Sequence, residues 1–165
     1  MGFTLLEVLI AAFIITVGIM GVFTVINKSV SQMAASPSHL IAAYLTQEGI
    51  EIVRNIRDTN WIEPTSVSWD DGLKVAGDYR ADYNDSSLTS FTSFPPGGRG
   101  YYLNIDNNGY YSYEVADNPT IFQRKITISQ GPIPADSLKV FIDVWWTEKG
   151  TENHVTAQEL LYNWH

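Results

Sequence analysis

The chain has no cysteine among its 165 residues, which excludes disulfides and thiolate metal sites without fixing a compartment. Basic residues are scarce as well: 10 Lys and Arg stand against 18 Asp and Glu, a formal net charge of −8. A surface of that sign repels phosphate, so nucleic acid is not an expected partner, and Arg99, Arg124 and Lys125 are too few to make a basic patch. Histidine is limited to His39, His154 and His165, which lack ligand spacing, so neither a metal nor another cofactor is expected. The chain also lacks a nucleophile motif and a phosphate-binding glycine loop. Glu48 and Glu51 lie at i, i+3 spacing on a polar helix face and read as solvated carboxylates. No catalytic residue is assigned, and the expectation is a protein that is not an enzyme. Asp106-Asn-Asn-Gly109 lacks the distal acid of an EF-hand loop and reads as a turn. Asn84-Asp-Ser86 fits a glycosylation triplet, a pattern too common to carry weight.

Charge is missing altogether from Val8 to Ile26, about 19 residues, close to the ~20 an α-helix needs to cross a bilayer core. A cleaved secretory signal would have a shorter apolar region with basic residues before it. Here the first positive charge, Lys28, comes after the run. The segment therefore reads as a retained transmembrane helix with its amino end at the cytoplasmic side. Glu7 stands at the head of this run. A carboxylate at a membrane boundary is costly to desolvate, which makes it a functional hypothesis that needs a partner.

The stretch Gly2-Phe-Thr-Leu-Leu-Glu-Val-Leu-Ile-Ala11 resembles the amino-terminal signature of type IV pilins and of the related pseudopilins of type II secretion. The resemblance implies that a prepilin peptidase cuts after Gly2, that Phe3 becomes the N-methylated terminus, and that Glu7 serves in assembly. Family members carry a short basic leader before the glycine, whereas only Met1 precedes Gly2 here. An amine at Phe3 of one subunit would then neutralise Glu7 of its neighbour, since a matched pair is tolerable in apolar surroundings where a lone ion is not. Such pairing would set the axial register of a filament. The segment Leu45 to Asp58 resembles the helical continuation of minor pilins and minor pseudopilins, which implies a minor subunit.

Beyond the apolar run, residues 28–60 read as a helical continuation. Pro37 predicts a kink or break, or a fresh helix with Ser36 as its cap. From His39 to Arg57 the apolar residues Ile41, Leu45, Ile52 and Ile56 share a face, with Leu40, Tyr44 and Val53 alongside. Glu48, Glu51, Arg54 and Arg57 fill the other side. Wholly helical, Phe3 to Arg57 would span about 80 Å. The helix is expected to end at Asp58–Trp61, before Pro64, and residues 62–100 read as loop-rich.

The remainder is β-rich. Tyr101–Ile105 and Tyr110–Val115 flank the Asn-Gly turn of a hairpin, and Thr120–Ser129, Lys139–Thr147 and His154–Tyr162 follow as strands. The expected fold is α+β: a long amino-terminal helix, its first half transmembrane, packed on an antiparallel sheet of about four strands. Three parts are expected: residues 1–27 (signature and membrane segment), 28–60 (helix continuation) and 61–165 (globular β-rich domain).

The leading functional expectation is a structural subunit of a type IV pilus or related filament. It would sit in the cytoplasmic membrane as a single-pass protein and then move to a cell-surface pilus or a periplasmic pseudopilus. Its partners would be other copies or pilin-like subunits, the prepilin peptidase and an inner-membrane assembly platform. Two alternatives are a minor pseudopilin of a secretion system and a tip subunit for adhesion or DNA uptake, with Tyr110, Tyr111 and Trp145 as candidate contacts. A plain membrane anchor that never polymerises explains the helix but not the position of Glu7.

Overall fold

The computed structural model describes residues 4–63, 68–91, 102–114 and 118–164, apart from the side chains of residues 27, 28 and 30–36. The chain divides into two compact units, residues 1–40 and 41–165. One helix, α1 (Leu5–Ile62), contributes to both.

In the first unit α1 starts on a side-chain cap. Thr4 Oγ1 accepts the Glu7 N–H at 3.3 Å, and the Thr4 carbonyl accepts from Glu7 and Val8. Within the apolar run, Thr16 Oγ1 donates to the Ala12 carbonyl at 2.7 Å and Thr24 Oγ1 to the Met20 carbonyl at 2.9 Å. Each hydroxyl is thus satisfied inside its own helix, as an apolar environment requires. Pro37 lies within α1, so Ser36–Pro37 does not open a new helix. The prolyl ring is exposed, where water can take over the carbonyl that proline leaves unpaired.

The second unit is a helix-on-sheet layer. Residues 41–62 of α1 bury Ala42, Leu45, Thr46, Gly49, Ile52, Val53 and Ile56. Leu40 (57% exposed) and Tyr44 (64% exposed), expected beside the buried face, point to solvent. The small residues explain the difference. A Cβ on Gly49 would lie 3.1 Å from Ile142 Cγ2 and 3.3 Å from Arg124 Cδ, so the helix backbone touches the sheet where side chains are smallest.

The sheet is antiparallel and has seven strands among the described residues, not about four. In chain order they are β1 (Gly77–Arg80), β2 (Thr89–Ser90), β3 (Tyr102–Ile105), β4 (Tyr111–Ser112), β5 (Asn118–Gln130), β6 (Ser137–Glu148) and β7 (Thr151–Tyr162). Strand β5 is the hub. One of its edges pairs with β6, from Phe122↔Trp146 to Gln130↔Leu138. Its other edge is shared by β3 near Asn118–Gln123 and by β1 at Ile126–Ile128. Strand β2 then extends β1, β4 extends β3, and β7 extends β6. Alternation makes the core: Phe122, Ile126 and Ile128 of β5 and Val140, Ile142, Val144 and Trp146 of β6 are buried beneath α1. The intervening residues form the outer face. Lys149 (φ 52°) and Gly150 (φ 78°) join β6 to β7 in the left-handed conformation a two-residue hairpin turn demands.

Candidate functional site

Of the residues that carry the signature, Gly2 and Phe3 lie outside the described residues. Glu7 is in the first turn of α1, and its carboxylate is exposed. Its backbone N–H is taken by Thr4, while its carboxylate makes no hydrogen bond or ion pair with any described residue. A carboxylate suits that position, because the partial positive charge of a helix amino terminus favours an anion there. From Leu5 to Ile26 the helix is 22 residues long with a mean hydropathy of 2.7 and none of it buried in the protein. It is long and apolar enough to span a membrane. Phe13 (70% exposed), Met20 and Phe23 are among its largely exposed side chains.

The other sequence candidates are dispersed. Among the described residues no group of three or more His, Asp or Glu gathers as a metal cage. His39 is on α1, His154 is on the outer face of β7, and His165 lies outside the described residues. Asp106 Oδ1 accepts the Asn108 and Tyr110 N–H groups at 2.8 and 2.9 Å, and Gly109 has φ 90°. The 106–109 segment is thus a hairpin turn stapled by its aspartate, and the Tyr110 amide holds that carboxyl below the usual carboxylate range. Asn84 and Ser86 are exposed on the loop after β1.

The three aromatic candidates separate by burial. Tyr110 is exposed and stacks on Tyr83, with ring centroids 4.7 Å apart. Tyr111 is half-buried, edge-on to Phe122 at 6.4 Å, and belongs to the margin of the core. Trp145 is half-buried between Phe91 and His154. His154 in turn lies 3.0 Å from Asp143 through Nδ1 and 3.0 Å from Glu152 through Nε2. A carboxylate at each nitrogen favours the charged ring: the hydrogen bond to Asp143, followed by that to Glu152, raises its pKa.

Sequence reasoning missed the polar centre of the domain. Arg124 occupies an apolar register between Phe122 and Ile126 and is wholly buried. It donates from Nη1 to the Leu45 carbonyl (3.1 Å) and Glu48 Oε1 (2.9 Å), and from Nη2 to the Ala81 carbonyl (2.7 Å). Glu48 is therefore an ion-pair partner rather than a merely solvated acid. The Tyr113 hydroxyl donates to the Arg124 carbonyl at 2.7 Å, and its burial pushes the phenol pKa up to about 12. Asp82 accepts the Tyr113 N–H at 2.7 Å, and burial raises its pKa. This network fastens α1 to β5, to the loop after β1 and to the end of β4. A charged residue at a core position of the Phe-x-Arg-x-Ile-x-Ile alternation was the available signal. Arg57, expected on the polar side, is also buried, with its guanidinium 4.8 Å over the Trp61 ring.

A cavity of about 520 Å³ opens between α1 and the 83–86 loop, lined by Glu48, Glu51, Asn55, Glu63, Tyr83 and Asp85. The acids in it compete for cations already engaged: Arg124 with Glu48, and Arg54 with Glu51 at 2.6 Å. No protein-family model matches the chain, and no curated protein or solved structure matches it.

Proposed function

We propose that this chain is a filament subunit of the type IV pilin class, held in the cytoplasmic membrane by the apolar part of α1 and then drawn into a helical fibre. The fibre would be a cell-surface pilus or the pseudopilus of a secretion system, and the chain a minor component of it. The observation that carries this reading is the pairing of an uncovered 22-residue apolar helix with an acid, Glu7, that has no partner among the described residues. Lipid satisfies the helix, but the acid, once it leaves water, must either take up a proton or meet a cation, and a cation keeps its charge in use.

The amine of Phe3 in a neighbouring copy or a related subunit is that cation. Helices already in lipid gain little hydrophobic energy by associating, so packing and a matched charge pair would guide assembly. Gly18 and Gly21, beside which a Cβ would meet nothing within 4 Å, leave room for close helix approach. Cleavage after Gly2 by a prepilin peptidase frees the amine, and an inner-membrane platform then assembles the fibre. Glu7→Ala and Glu7→Gln test the proposal. Both variants are expected to insert and be cleaved, while fibre yield falls by more than about tenfold, consistent with loss of a buried pair. Normal fibre yield from either variant would refute it.

A further inference from the structure

Strand β7 is the long edge of the sheet. It pairs with β6 without a bulge from Ser137↔Tyr162 to Glu148↔Thr151, and among the described residues it has no other strand partner. The other terminal strands, β2 and β4, are two residues each. Exposed edges are ordinarily blunted by proline, by lysine, by a bulge or by shortness. Residues 151–162, Thr-Glu-Asn-His-Val-Thr-Ala-Gln-Glu-Leu-Leu-Tyr, have none of these, and their one inward-facing charge, Glu159, is held by Arg54 of α1.

A second observation is independent of the edge itself. Alongside β7, between it and α1, lies a cavity of about 420 Å³ lined by Ala43, Thr46, Ile50, Val155 and Ala157. Side chains of an added strand that point toward the helix layer would enter it, because strand neighbours alternate faces. The helix reaches this strand at Val155, whose carbonyl lies 3.4 Å from Thr46 Oγ1, and at Glu159, whose carboxylate Arg54 holds at 2.8 Å.

Charge selects the occupant. Glu51 and Glu159 border the cavity with Arg54 bridging them, and Glu152 stands on the outer face beside His154. The carboxylates outnumber the cations, and a second copy of this chain brings a further −8. We propose that β7 is a strand-addition site for an extended segment of a different protein subunit, with small apolar side chains toward the cavity and basic ones on the outer face toward Glu152. Main-chain hydrogen bonds would supply affinity and the cavity and carboxylates specificity. The proposal does not depend on how the amino-terminal helix is processed or assembled.

The test uses the full chain in non-ionic detergent and a fluorescent synthetic peptide of alternating valine and lysine, with binding read by anisotropy and β7 amide protection by hydrogen exchange. Binding with protection confined to residues 151–162 is expected. A glutamate-for-lysine peptide, a peptide N-methylated at alternate nitrogens, and the Thr156→Lys/Gln158→Lys variant are each expected to bind about tenfold more weakly or worse. Failure of the lysine peptide to bind, equal binding of the N-methylated peptide, or self-association through β7 in its absence would each overturn the proposal.

Discussion

Replacing Arg124 with methionine removes the buried cation while keeping an unbranched side chain in its place. The change deletes hydrogen bonds to the Leu45 and Ala81 carbonyls and to Glu48. Each buried acceptor left without a donor costs about 1–3 kcal/mol. Glu48 contributes less, because its side chain is 32% exposed and water can replace the guanidinium. The Leu45 carbonyl keeps the Gly49 N–H of its own helix, so the stranded Ala81 carbonyl dominates, and with Glu48 the sum is about 1–4 kcal/mol, its upper end within the 3–5 kcal/mol typical of breaking a buried pair. That is a large share of the roughly 5–15 kcal/mol that holds a domain together. Chemical denaturation of the full chain in detergent, followed through tryptophan fluorescence, measures it, since Trp146 is 1% exposed and lies in the same core. Glu48→Gln is the comparison, with an expected loss of about 1 kcal/mol or less. The reasoning fails if Arg124→Met costs no more than Glu48→Gln, because the carbonyl bonds would then carry none of the load.

Two further outcomes follow from close packing and from titration. Gly49→Val should destabilise the domain by about 1–3 kcal/mol in the same assay, because its two γ-methyls add to a Cβ that already lies 3.1 Å from Ile142, whereas Gly49→Ala, which adds the Cβ alone, should fall within about 1 kcal/mol of the parent. His154, its pKa raised by Asp143 and Glu152, contributes stability that is fully present below the unfolded value near 6.5 and is lost as pH rises through its higher folded value. Because the ring is largely solvated the effect is a few tenths of a kcal/mol. The difference in stability between the parent and His154→Gln should shrink between pH 6 and pH 8, and a difference constant with pH would contradict the assignment.

The long elements were legible because their periods are strong. Strands β5, β6 and β7 alternate over a dozen residues, and α1 combines an apolar run with a helical repeat. Strands β1 and β2 were not legible. Gly77–Arg80 is half-buried at every position and shows no alternation, and Thr89–Ser90 is too short to have a period. Both exist because β5 offers them an edge, which is tertiary information. The helix face was misjudged at Leu40 and Tyr44 because large apolar residues were weighed there, whereas contact with the sheet is made through Ala42, Thr46 and Gly49. Glu48 looked solvated because its partner, Arg124, comes from packing rather than from spacing, whereas the Trp61 ring over which Arg57 lies is four residues on in the same helix and was legible in the spacing. At the amino terminus the reverse held. Glu7 stood out in the sequence by its position alone, and the fold adds the Thr4 cap and the absence of a partner for its carboxylate among the described residues.

The most direct test of the account is the mass of the mature amino terminus in protein purified from its native membrane. Processing of the kind proposed predicts a chain that begins at methylated Phe3, presenting the amine that Glu7 of an adjoining subunit requires. A native chain that retains Met1 and Gly2 would contradict it and leave the apolar helix as an anchor alone.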